Sequence, residues 1–162
     1  MPKGVLTISS RNYSSWSLRG WLICKGAGID FEVKTLTADD PSARAELLHL
    51  SPSFLVPKLE YDGVEVWDVL AIAEFLNEIK PKAKLLPADR ATRAHCRAVS
   101  GEMHQGFVNL RSALPMNIKG HYPGFKVWAG AQTDIDRVVS AEVRPAAPVV
   151  PDLPDAGGLD FD

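Results

Sequence analysis

The chain has 162 residues, 46% of them hydrophobic and 23% charged, with a formal net charge of −2. That length holds one ordinary domain, or one small domain and part of another. The balance of charge argues against a general nucleic-acid binder, whose phosphate affinity comes from clustered Lys and Arg. No apolar run is long enough for a transmembrane helix, and MPKGVLTISS lacks the long apolar core of a secretory signal. Cys24 and Cys96 form no C-x-x-C pair, which suits a reduced, cytoplasmic setting. His49, His95, His104 and His121 show no metal-ligand spacing, so no metal is expected.

In chain order, Val5 to Ser9 is a short β-branched run and reads as a buried strand. NYSSWSLR follows. Then Trp16 to Lys25 places Leu18, Trp21 and Leu22 on helical spacing and stops at Gly26 and Gly28. Phe31 to Leu36 alternates and predicts a second strand, parallel to the first through a right-handed crossover. Asp40-Pro41 signals a helix start, with Ala43 to Leu50 as a short helix. Val56 to Tyr61 and Val64 to Val66 predict two strands joined by the hairpin pair Asp62-Gly63. Val69 to Ile79 carries Val69, Ile72, Ala73, Phe75, Leu76 and Ile79 at helical spacing. The order is β-α-β-α-β-β-α, a compact α/β domain over residues 1–80.

Residues 81–88 read as a proline-containing linker. Asp89 to Leu114 reads as one long helix that opens an all-α domain over residues 89–139. Its small stripe, Ala91, Ala94, Ala98 and Gly101, suits close backbone packing. Pro115 ends it, and Ala131 to Val139 begins a further helix. From residue 140 the composition changes: Pro145, Pro148, Pro151 and Pro154 recur every third residue. Such a segment forbids a helix and predicts a disordered or non-native tail over 140–162.

Four stretches in this order resemble the glutathione transferase family: SSWSLR (14–19), SPSFLVPKL (51–59), WDVLAIAEFL (67–76) and the start of the helical domain at 89–115. The likeness covers residues 4 to about 139 and is strongest to cytosolic bacterial, serine-type members with a zeta-like N-terminal motif. It implies a thioredoxin-like first domain and a helical second domain that is truncated here.

The same resemblance implies the site. Ser14 takes the catalytic position beside the sulfur of glutathione, and Ser15 serves as cap or second donor. A free thiol has a pKa of about 8.5, so a hydroxyl donor and a helix N-terminus both favour the reactive thiolate. Read from the residues alone, Ser14 and Ser15 are an ordinary helix cap. Val56-Pro57 reads as a trans proline at a strand start. The resemblance makes it cis, with the Val56 backbone pairing with glutathione as an added strand. Asp68 reads either as a plain cap or as the partner of the γ-glutamyl ammonium. Val69 departs from the family's serine, keeping the N–H but losing a hydroxyl. Phe54 departs too, with no polar group for the glycyl carboxylate, and Lys58 is turned away by strand alternation. Trp16 reads either as packing or as the mouth of an electrophile pocket, and His104 and Phe107 either as core or interface residues or as part of that pocket.

The implied activity is conjugation of glutathione to a small hydrophobic electrophile. The alternatives are a catalytically weak or inactive glutathione-binding or interaction domain of the same fold, and a glutathione-dependent isomerase or dehalogenase. Glutathione is co-substrate and no cofactor is implied. A homodimer is implied, with no nucleic-acid or membrane partner.

Overall fold

The computed structural model describes residues 4–36 and 56–142. These fall into two compact units that divide between Leu85 and Leu86. The predicted helix at Ala43–Leu50 and the position of Phe54 lie outside the described residues.

In the first unit, β1 (Gly4–Ile8), α1 (Ser15–Gly26), β2 (Phe31–Thr35), β3 (Lys58–Tyr61), β4 (Val64–Trp67) and α2 (Val69–Ile79) follow one another. The sheet runs β2-β1-β3-β4. β1 pairs parallel with β2, from Gly4↔Phe31 to Ile8↔Thr35, and antiparallel with β3, through Leu6↔Leu59. β3 and β4 form the expected hairpin: Asp62 and Gly63 take φ of 52° and 79°, the left-handed pair that a tight two-residue connection needs. This mixed sheet with its helices is the thioredoxin-like arrangement.

The core lies between one sheet face and the helices α1 and α2. Leu6, Ile8, Cys24, Leu59, Ile72 and Leu76 are sealed from solvent, with Trp21 and Tyr61 nearly so. Each such apolar side chain contributes about 1.5–3 kcal/mol of transfer free energy. In β3, buried Leu59 and Tyr61 alternate with exposed Glu60, as period two requires. β2 does not alternate: Glu32 to Thr35 are all exposed on this edge strand. Leu85 packs against the first unit's core.

The second unit holds α3 (Arg90–Gln105), α4 (Val108–Ala113) and α5 (Ala129–Glu142). The single helix expected from Asp89 to Leu114 is two. Gly106 turns extended, at φ −92° and ψ −170°, and Phe107 takes a left-handed φ of 65°. The break is held by Arg111. Its Nε donates to the Gly106 carbonyl at 3.1 Å, and its Nη2 donates to the Met103 carbonyl. These bonds satisfy carbonyls that a continuing helix would have paired. Leu110 N–H donates to Asp134 Oδ2 at 2.9 Å, tying α4 to α5, and Arg137 grips Glu102 bidentately at 2.5 and 2.7 Å. That guanidinium holds the Glu102 carboxyl below its ordinary value.

Within its own unit, no described atom would lie within 4 Å of a Cβ on Gly101, so the close packing expected of that stripe is not found there. Ala131 is the one fully buried hydrophobic among the unit's described residues, while Val108, Tyr122, Phe125, Trp128 and Val139 are exposed. α5 runs through Glu142, so residues 140–142, expected in the tail, are helical. Residues 143–162 lie outside the described residues.

Candidate functional site

The site is built where β1 gives way to α1. Ser10 turns the chain: its Oγ accepts the N–H groups of Asn12 and Tyr13 at 3.1 and 3.2 Å, and its carbonyl accepts Ser14 N–H at 3.3 Å. Ser14 is then the N-cap of α1, with extended backbone (φ −106°, ψ 107°) and its Oγ accepting Ser17 N–H at 3.2 Å. It is buried. Ser15, the first helical residue, is partly buried. The ordinary-cap reading therefore belongs to Ser14. It does not exclude catalysis, because a serine hydroxyl that accepts one hydrogen bond still carries one proton.

The Val56-Pro57 peptide is cis, as the resemblance implied. Both residues are buried. Pro57 rests against α1 at Gly20, where a Cβ would come within 2.6 and 2.7 Å of the proline ring carbons. The Pro57 carbonyl accepts the N–H of Asp68 at 3.2 Å. Asp68 caps α2: its Oδ1 accepts the N–H groups of Leu70 and Ala71 at 2.8 and 3.3 Å. Its backbone sits at φ 76°, a region that costs a non-glycine residue energy of order 1–3 kcal/mol. Val69 turns its side chain into the interior and is buried.

The sheet register gathers these residues. Thr7 near the end of β1 pairs with Lys58, which pairs with Trp67 at the end of β4. The end of β1, the start of α1, Pro57 and the start of α2 therefore share one end of the sheet. Two helix N-termini point their partial positive charge there, and neither first turn carries an acid. Such an end suits an anionic ligand.

Lys58 does not contribute. Its Nζ lies 3.0 Å from Glu65 and 3.1 Å from Glu60, and these partners, Glu65 foremost, raise its pKa. Trp16 is partly buried, with the Arg19 guanidinium 4.8 Å above its ring. His104 and Phe107 belong to the second unit, at the end of α3 and at the helix break, both partly buried. Cys24 is buried, and burial pushes its thiol up to about 12. No group of three or more potential metal ligands occurs among the described residues. No helix among them is long and apolar enough to cross a membrane.

Three contributors were not anticipated from the sequence: Gly20, Ser9 and Ser17. Ser17 and Gly20 share a stripe with Trp21 and Cys24, the buried face of α1. The i, i+3, i+4, i+7 spacing was there to be read, but half of the stripe is polar or small.

Residues 13–79 match the family model described as the glutathione S-transferase N-terminal domain. Those residues form a glutathione S-transferase N-terminal domain. The chain is 38% identical over 98 residues to a "Probable maleylacetoacetate isomerase" of Caenorhabditis elegans, covering 60% of this chain and 45% of that one. It is 34% identical over 113 residues to the maleylacetoacetate isomerase of Rattus norvegicus, covering 68% and 51%. The chain thus spans about half the length of the curated relatives it matches. Among solved structures it is similar to a glutathione transferase homolog from Burkholderia gl BGR1 with bound glutathione, at 26% identity and a TM-score of 0.60, covering 85% of this chain and 64% of that one. Glutathione transferase Omega 2S from Trametes versicolor, at 19% identity and a TM-score of 0.61, shares the fold. The glutathione S-transferase match takes in Ser14, Ser15, Val56, Pro57, Asp68 and Val69. His104 and Phe107 lie beyond it.

Proposed function

We propose that this chain binds glutathione at the gathered end of the sheet and holds its sulfur as thiolate beside Ser14. The observation that carries the reading is the buried Ser14 hydroxyl at the start of α1, on the sheet end where two helix N-termini meet. A hydroxyl polarised by the Ser17 N–H is a better donor, and both it and the helix terminus stabilise a developing anion. Support also comes from the Burkholderia homolog, whose structure contains glutathione. In this reading the Val56 backbone pairs with the cysteinyl unit. Asp68 faces the γ-glutamyl ammonium through the carboxylate that also caps α2. Val69 offers its N–H without a hydroxyl, so affinity is modest. Ser15 lies next in line as second donor.

The thiolate then attacks a small apolar electrophile, forming a carbon–sulfur bond as a leaving group departs or, at a conjugated acceptor, as the π bond opens and takes up a proton, with Trp16 assigned to the electrophile side. No cofactor is needed. A cytoplasmic homodimer is the assembly that goes with this function. A second reading, glutathione-dependent isomerisation, is favoured by the names of the curated relatives. There the thiolate adds to a conjugated carbon, the adduct rotates, and glutathione leaves unchanged.

Titrating the chain with glutathione and following thiolate absorbance against pH tests the common step. Wild type should bind at millimolar glutathione and form thiolate below the free thiol's pKa. Ser14→Ala should lose a hydrogen bond to an anion worth about 1.5–3 kcal/mol, roughly ten- to a hundredfold in thiolate. If the loss follows Ser15→Ala instead, the roles are exchanged. No binding would sink the enzyme and leave only the fold. Counting glutathione consumed per turnover then separates conjugation from isomerisation.

A further inference from the structure

Ser9 and Ser17 form a buried polar junction to which no role is yet assigned. Ser17 is sealed from solvent and Ser9 nearly so. Ser17 Oγ accepts the backbone N–H of Ser9 at 3.2 Å and lies 3.3 Å from Ser9 Oγ. The N–H of Ser17 itself donates to Ser14 Oγ at 3.2 Å. One residue therefore joins the end of β1, the first turn of α1 and the hydroxyl of Ser14.

Packing alone does not call for serine here. Alanine is smaller by one atom and a better helix former, and an apolar side chain would suit the neighbours Trp21 and Cys24. A hydroxyl placed in such surroundings must be hydrogen-bonded. Its partner is informative. Ser9 stands one residue beyond the last paired position of β1, Ile8↔Thr35. Where the strand ladder ends, the Ser17 hydroxyl takes over and holds the next peptide against the helix. The six residues from Ser9 to Ser14 form a turn fixed at both ends, by Ser17 Oγ at one and by the Ser14–Ser17 cap at the other.

We infer that Ser17 is a positioning residue for Ser14, fixing its hydroxyl relative to the strand end so that the donor is held where the thiolate forms. This rests on the proposed role of Ser14. Hydrogen bonds weaken steeply as distance and angle drift, so a donor on a loosened turn stabilises the anion less while the ligand's other contacts persist.

The test is the pH titration of bound glutathione in Ser17→Ala. The midpoint for thiolate formation should rise by about half to one unit, about three- to tenfold less thiolate at fixed pH, with glutathione Kd changed less than about twofold. Ser9→Ala removes the hydroxyl–hydroxyl contact but keeps the hydrogen bond donated by the backbone N–H of residue 9 to Ser17 Oγ, and should move the midpoint the same way by less. Ile72→Val, a core change remote from the turn, should lower Tm and leave the midpoint in place. A Ser17→Ala chain that binds glutathione with an unmoved midpoint overturns this inference alone, and so does an equal shift in Ile72→Val. A wild-type chain that fails to bind glutathione overturns this inference together with the functional reading. Should Ser17→Ala not fold, Ser9→Ala decides: a raised midpoint supports the inference and an unmoved one overturns it.

Discussion

Replacing Gly20 by alanine sets two effects against each other. Gly20 lies inside α1, where alanine would ordinarily stabilise the helix by about 1 kcal/mol. The added methyl, however, would stand 2.6 and 2.7 Å from two ring carbons of Pro57. Carbon atoms pack comfortably at about 3.5–4.0 Å, so something must move by about 1 Å. A methyl has no rotamer to change, and the proline ring is buried and stiff. Overpacking of this kind costs typically 1–3 kcal/mol, and the rigid pair belongs at the upper end. The net is a loss of about 2 kcal/mol. For a unit of this size that lowers Tm by roughly 8–16 °C. Urea or thermal unfolding followed by tryptophan fluorescence measures it, since Trp16, Trp21 and Trp67 of the four tryptophans lie in the first unit. Gly101→Ala is the matched control. It is also mid-helix, with nothing described near the new Cβ within its unit, and should gain about 1 kcal/mol. If both variants stabilise alike, the contact between α1 and Pro57 is not as tight as the geometry states and the reasoning fails.

Two more predictions concern charge and thiols. Asp68→Asn keeps a good cap oxygen for Leu70 and Ala71, so stability should change by less than about 0.5 kcal/mol. Glutathione affinity should fall about tenfold from the loss of a charge-assisted contact, as measured by calorimetric titration; unchanged affinity would confine Asp68 to capping. Cys24 is buried with its thiol pushed up to about 12, whereas Cys96 is partly exposed. At pH 8 an alkylating reagent should modify one thiol per native chain, located by peptide mass at Cys96, and two in denaturant. Rapid labelling of Cys24 in the native chain would contradict its burial.

The sequence reading and the structure agree most closely where local chemistry dictates geometry. Asp62-Gly63 announced its hairpin, Gly28 closed α1, and the apolar periodicity of Val69, Ile72 and Leu76 became the buried face of α2. Where tertiary context decided, the reading fell short. Leu22 looked like core and is exposed, because the buried stripe of α1 runs through Ser17 and Gly20, which no apolar pattern marks. Phe31 to Thr35 alternates in sequence yet lies on an edge, exposed throughout most of its length. The break after Gln105 depended on Arg111 reaching back to two carbonyls, a contact that helical spacing does not encode. At the site, the Ser14 and Asp68 caps were legible from residue type, whereas the junction of Ser9 with Ser17 required knowing where strand and helix cross.

The shared register of Thr7, Lys58 and Trp67 also divides the sheet into ends with unequal freedom to vary. At the Asp62-Gly63 end, the β3–β4 turn can lengthen or accept an inserted segment without altering which residues pair. At the opposite end, one residue gained or lost between Pro57 and Leu59 would shift the pairing by one place and turn Leu59 from core to solvent. Were the pairing kept, the same change would instead carry the proline away from α1. Diversification of this chain, by evolution or by hand, therefore has one open end and one closed.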